Sequence, residues 1–193
     1  MQTKFIFATF VNFAFIYIGL FYIFRELTSV KPVRTSGLGI LRTGTALGVL
    51  MWSSTLLSFM LARHGLRDVF EAVPLFAALL IAVMGCCYGT ALIMATSFRN
   101  ASVFGGAAIG FTVAFTHFAT MIGRHPSTPY EWRLDPLLLA LAMAIVFSAL
   151  ALRIIATKPF SRSFEIGCAT LAAGTSVTLA FSLQAVLPLS ATA

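Results

Sequence analysis

Residues 101–122 read ASVFGGAAIGFTVAFTHFATMI, a run that contains no Asp, Glu, Lys or Arg. A membrane-spanning helix needs about 20 mostly apolar residues. Five comparable runs flank this one, so the predicted spans are 5–24, 39–62, 73–96, 101–122, 136–157 and 164–187. The chain is 59% hydrophobic and 10% charged, with a mean hydropathy of +0.95. We predict an all-α integral membrane protein with a single domain over residues 1–193, because no stretch remains that could bury a separate soluble core.

The basic residues are distributed unevenly between the loops. Counted with the adjoining helix ends, loops one, three and five hold eight basic and two acidic residues, whereas the other side holds five basic and four acidic residues. The positive-inside rule places the more basic loops in the cytoplasm and therefore predicts that both termini lie outside. Because these charges flank the spans, the net charge of +7 indicates topology and not nucleic-acid binding.

The glycines of the second, fourth and sixth predicted helices indicate an internal repeat. Adding 62 to Gly44 and Gly48 gives Gly106 and Gly110, and we align Gly174 with Gly110 at an offset of 64. The chain is therefore predicted to form three repeated helical hairpins. Small residues allow helices to approach closely in lipid, so these glycines are predicted packing sites and the even helices are expected at the centre.

The segments that follow the aligned glycines resemble a known membrane domain. Seven residues after each glycine come Thr55, His117 and Phe181, within WSSTLLSF (52–59), AFTHFATM (114–121) and LAFSLQ (179–184). This pattern resembles the MHYT domain, a bacterial integral membrane sensor module of three hairpins with a Met-His-Tyr-Thr-like motif near the outer end of each second helix. The positions that match the family motif are Trp52, Ser53, Thr55, Phe118 and Phe181.

The resemblance implies a copper site, because MHYT domains are proposed to bind copper through Met and His. This chain keeps His117 and, four residues on, Met121, so the resemblance implies at most a vestigial site at the outer face. Met60 and His64 form a second pair with this spacing. The alternative is a buried His117 that bonds to a Ser or Thr of a neighbouring helix, with the methionines as packing residues. We expect Asn12 to make an interhelical hydrogen bond as well.

The residues favour a role without catalysis. The spans lack the carboxylates of a nucleophile–base–orienter set, so no enzyme activity is predicted. We expect a sensory or accessory subunit of the bacterial inner membrane that acts through other membrane proteins or a separate signalling partner, since the sequence is expected to carry no output domain. One alternative is a structural subunit of a larger membrane complex with no ligand of its own. A small transporter is a third hypothesis.

The predicted topology can be tested by labelling single cysteines in a chain whose three native cysteines are replaced by alanine. We expect Ser127→Cys to react with a membrane-impermeant maleimide in intact cells, because the loop at residue 127 is predicted to lie outside. Ser36→Cys, in the first loop, should react only after lysis. The opposite pattern would reverse the orientation.

Overall fold

The computed structural model describes residues 2–29, 37–62, 71–95, 100–122, 130–157 and 162–188. Its six helices are α1 (Gln2–Ser29), α2 (Gly37–Ala62), α3 (Ala72–Ala95), α4 (Ala101–Ile122), α5 (Leu134–Thr157) and α6 (Arg162–Gln184). All six are long and apolar enough to cross a membrane. The predicted six-helix membrane fold is therefore confirmed.

Two short strands were not predicted. β1 (Tyr130–Trp132) pairs antiparallel with β2 (Val186–Pro188), and the amide of Arg133 donates to the carbonyl of Ala185 at 2.8 Å. The sixth helix was predicted to reach residue 187 but ends at Gln184, and residues 186–188 form β2 instead. The pairing puts the end of α6 beside the start of α5, as alternating hairpins require. Which side of the membrane this is stays a prediction.

The six helices form a ring in which the even-numbered helices lie closer to the centre than the odd-numbered helices. Each helix packs on its neighbours in sequence, α6 packs on α1, and α4 also reaches α2 and α6 across the middle. The buried share of the spans is 44%, 56% and 56% in α2, α4 and α6, against 22%, 28% and 28% in α1, α3 and α5. The predicted central position of the even helices is confirmed.

Close contacts at glycines repeat along the chain with the predicted offset of 62. A Cβ atom added to Gly44 would meet the backbone of Cys87 on α3, and one added to Gly106 would meet the backbone of Ala149 on α5. The same offset relates Cys87 to Ala149. One helical turn further on, the contacts of Gly48 with Val83 and of Gly110 with Ile145 are related in the same way. These glycines join α2 and α4 to the hairpins that follow them.

The contacts of α6 show that the third repeat has the same offset. Gly105 lies against Gly89 and Ile93, and Gly167 lies against Ala151 and Ile155. Each residue of the second group is 62 positions beyond its counterpart in the first. The structure therefore aligns α6 with α4 at 62 and not at the predicted 64. With several small residues in α6, the alignment of one glycine left its register undetermined.

A further contact recurs inside each hairpin and fixes the register of the odd helices. It joins Gly19 to Leu50, Gly85 to Thr112, and Phe147 to Gly174. Gly174 thus packs as predicted, but it stands at the position of Thr112 instead of Gly110. The same contact relates α1 to α3 by an offset of 66, and α3 to α5 by 62.

The substitution Gly48→Ala tests the close packing of α2 on α3. The added Cβ would lie 2.6 Å from Cα of Val83 and 2.7 Å from the carbonyl oxygen of Ala82, and backbone atoms cannot rotate away. We expect a loss of about 1–3 kcal/mol in the free energy of unfolding in detergent micelles. Gly37→Ala is the control, since a Cβ there has no neighbour within 4 Å. Equal stability of the Gly48→Ala variant and the wild type would contradict the packing.

Candidate functional site

Two rows of buried hydroxyl groups line the centre of the bundle at intervals of 62 residues. They are Ser54, Thr116 and Thr178, and, one turn further on, Ser58, Thr120 and Ser182. Each hydroxyl donates to a carbonyl of its own helix three or four residues earlier, at 2.7–2.8 Å. An unsatisfied hydroxyl would be costly in an apolar interior, so these bonds let the centre contain polar side chains.

His117 lies between these rows and bonds to a residue at the equivalent position of the first repeat. Its Nδ1 is 2.7 Å from Oγ1 of Thr55 on α2, and both residues are buried. The Thr55 hydroxyl also donates to the carbonyl of Met51 at 2.8 Å. Which of Oγ1 and Nδ1 donates in the bond between Thr55 and His117 depends on the tautomer of the imidazole. The alternative prediction of a His117 bonded to a neighbouring helix is confirmed.

The second ring nitrogen of His117 is Nε2. It is buried and has no hydrogen-bond partner among the described residues, although the backbone of Thr175 on α6 lies beside the ring. A buried polar atom without a partner is uncommon and often marks a functional position. The ring of His117 therefore lies between Thr55 of α2 and Thr175 of α6.

Met51 also belongs to this site, and the sequence analysis missed it. Its side chain is buried, and its Sδ lies 3.9 Å from Oγ1 of Thr175. Thr175 lies 124 residues after Met51, which is twice the repeat length. A sequence alignment with the offset of 62 for all three repeats would therefore have placed Met51 and Thr175 at equivalent positions. We define Met51, Thr55, His117 and Thr175 as the central cluster, which joins α2, α4 and α6.

Met121 occupies an apolar layer one turn beyond His117. It is buried against Phe59 of α2 and Leu179 of α6, with Leu183 packed on the group. Phe59 and Leu183 stand 62 residues before and after Met121, so equivalent positions of the three repeats meet here as well. No described contact joins Met121 to His117.

The remaining predicted site residues lie away from the central cluster. Met60 is exposed on α2, and its predicted partner His64 lies outside the described residues. Trp52 donates from Nε1 to the carbonyl of Leu75 at 3.2 Å and so ties α2 to the start of α3. The others are Ser53, which is half-buried, Phe118, whose ring centroid is 6.3 Å from that of Phe115, and Phe181, which is half-buried two residues after the position equivalent to His117.

The central cluster does not fit a copper site built from all three repeats. At the level of the imidazole, the three equivalent positions hold Thr55, His117 and Leu179. One turn further on, the three equivalent positions hold Phe59, Met121 and Leu183, and only Met121 offers a sulfur ligand. Among the described residues no group of three or more His, Cys, Asp or Glu side chains could hold a metal ion. Copper prefers several imidazole and thioether ligands, which these residues do not gather.

Asn12 makes the interhelical hydrogen bond that the sequence predicts. Its Nδ2 donates to Oγ of Ser176 on α6 at 3.3 Å, and both residues are buried. The corresponding positions of α3 and α5 are Ala78 and Ala140, 66 and then 62 residues further on, and both are fully buried. This hydrogen bond is therefore a feature of the α1–α6 contact alone.

Replacement of Thr55 tests the hydrogen bond to His117. Thr55→Val keeps the shape of the side chain but leaves Nδ1 of His117 without its hydrogen-bond partner, so we expect a loss of about 1–2 kcal/mol in the free energy of unfolding in micelles. Thr55→Ser keeps the hydroxyl and is expected to retain most of that stability. If the two variants unfold alike, the bond contributes nothing measurable.

Comparison with known proteins gives one match. The MHYT family model, described as a bacterial signalling protein N terminal repeat, matches residues 110–168. The matched segment runs from the middle of α4 through α5 into the first turns of α6 and includes His117 and Met121. No curated protein and no solved structure matches the chain. Residues 110–168 of this multi-pass membrane protein are therefore similar to the repeat of the MHYT family, as the sequence resemblance predicted.

Proposed function

We propose that this protein is a non-catalytic sensory or accessory subunit of a bacterial inner membrane. In this proposal the central cluster couples the three central helices, and the family's copper site survives at most as a vestige around His117. The hydrogen bond between Thr55 and His117 carries the proposal. Where the family motif has a histidine, Thr55 is instead hydrogen-bonded to the remaining histidine, His117.

The geometry of the central cluster supports a coupling role. His117 connects α4 to α2 through Thr55, and Thr175 brings α6 against both Met51 and the His117 ring. Hydrogen bonds between helices in a membrane contribute modestly, about 0.6 kcal/mol on average, so the helices can shift relative to one another at moderate cost. A partner that binds one central helix would therefore affect the other two through this cluster.

The chemistry of the cluster supports a role without catalysis. Its hydroxyls already donate to helix carbonyls, Thr55 to Met51 and Thr175 to Leu171. No carboxylate of the described residues takes part in the cluster, and a nucleophile–base–orienter set needs such a group or an equivalent.

The proposal implies a partner, since a subunit of this kind must pass its signal to another protein. The exposed large side chains of α1 fit lipid or a partner helix equally well; they include Ile6, Phe7, Phe10, Ile18 and Tyr22. A structural subunit without any ligand is the second candidate, which the unoccupied hydrogen-bonding capacity of His117 Nε2 disfavours.

Metal analysis of the purified protein tests this function. After incubation with copper(I) and removal of the excess, we expect clearly less than one copper per chain in the wild type. We expect the His117→Ala variant to bind no less copper than the wild type, but to unfold at lower denaturant concentration because the coupling bond is lost. Met60→Ala is the matched control, since Met60 is exposed and outside the cluster. One copper per chain that is lost in His117→Ala but kept in Met60→Ala would instead establish a metal sensor.

A further inference from the structure

Arg42 stands at a position that is apolar in the other two repeats. It is exposed on α2, and the uniform offset of 62 places Phe104 of α4 and Ile166 of α6 at the same position. These two side chains are 57% and 54% exposed, as expected for residues in contact with lipid tails. The repeated packing therefore does not account for a guanidinium at this position.

A shallow, open face of α2, called the groove below, lies beside Arg42 and bounds a space of about 560 Å³. It is lined by Leu38, Leu41, Arg42, Thr45, Ala46 and Val49. These residues recur every three or four positions, so they form one stripe along the helix. The groove is apolar, with the cationic group near the end where α2 begins. Among the described residues no carboxylate pairs with Arg42.

The chemistry of this groove matches that of a phospholipid. A charged side chain in the apolar part of a membrane is costly unless it reaches the interface or finds a partner. The planar guanidinium group binds phosphate through two parallel hydrogen bonds. Basic pockets on the cytoplasmic side of membrane helices bind anionic head groups, and the first loop adds Lys31 and Arg34 on the same predicted side.

We propose that this groove binds one anionic phospholipid. The phosphate of the head group bonds to the guanidinium of Arg42, and one acyl chain lies along Leu41, Ala46 and Val49 toward the middle of the membrane. A peptide or a second copy of the chain would have to bring a carboxylate to Arg42, whereas the membrane interface that the guanidinium reaches already holds lipid phosphate in abundance. The occupant is therefore a lipid whose net charge is negative.

Lipid binding by delipidated protein in detergent tests this site. We compare phosphatidylglycerol with phosphatidylcholine of the same acyl chains, by native mass spectrometry and by the shift of the thermal unfolding midpoint. The wild type is expected to prefer phosphatidylglycerol. Arg42→Gln should weaken phosphatidylglycerol binding about fivefold. Arg153→Gln is the control, because Arg153 is exposed on α5 toward the same predicted side and lies outside the groove.

A second variant separates the head group from the acyl chain. Ala46→Phe fills the groove but keeps the charge of Arg42, so it should weaken the binding of both lipids, while circular dichroism confirms that the variant is folded. Glycerol phosphate without acyl chains should give no stabilisation. The proposal is overturned if the wild type binds both lipids equally, if Arg42→Gln keeps the preference for phosphatidylglycerol, or if glycerol phosphate stabilises as much as the lipid.

Discussion

The lack of a hydrophobic force between helices inside a bilayer governs how this protein is held together. Lipid tails are as apolar as the helix surfaces, so association depends on close packing and on hydrogen bonds. Two of the three junctions between repeats use glycines that bring backbones into contact. Gly48 of α2 packs against α3, and Gly110 of α4 packs against α5. At the third junction, between α6 and α1, the equivalent residue is Ala172. At this junction the hydrogen bond from Asn12 to Ser176 joins the two helices, in place of the close glycine packing at the other two junctions.

The same constraint explains why the centre can be polar. Ser and Thr side chains bond to carbonyls of their own helices, so the rows from Ser54 to Ser182 need no partner on a neighbouring helix. An imidazole cannot be satisfied in this way. His117 therefore reaches across to Thr55, and its second nitrogen is left over. The site around His117 is thus a consequence of placing one histidine in a centre otherwise built from hydroxyls.

Sequence alone predicted the elements of this fold better than their register. Six apolar runs gave the six helices, and the glycine pairs gave the first offset, because both features have long or repeated signals. The third offset required the contacts of Gly167, since α6 contains several small residues that align equally well with α4. The kind of partner of His117 could be predicted, but its identity as Thr55 depends on helix rotation and depth. Met51 was missed because a lone methionine in an apolar run looks like any packing residue.

The repeat gives a way to separate residues that serve packing from residues that need their own explanation. A position whose three copies are all small, all hydroxyl or all apolar follows from the shared geometry of the hairpins. Several polar residues break this rule. Three of them are Asn12, which replaces alanine, His117, which stands with Thr55 and Leu179, and Arg42, which stands with Phe104 and Ile166. Because the scaffold folds the other two repeats without them, packing does not require these side chains. Each must therefore be explained by what it contacts, which is a helix seam for Asn12, the central cluster for His117 and the surrounding lipid for Arg42.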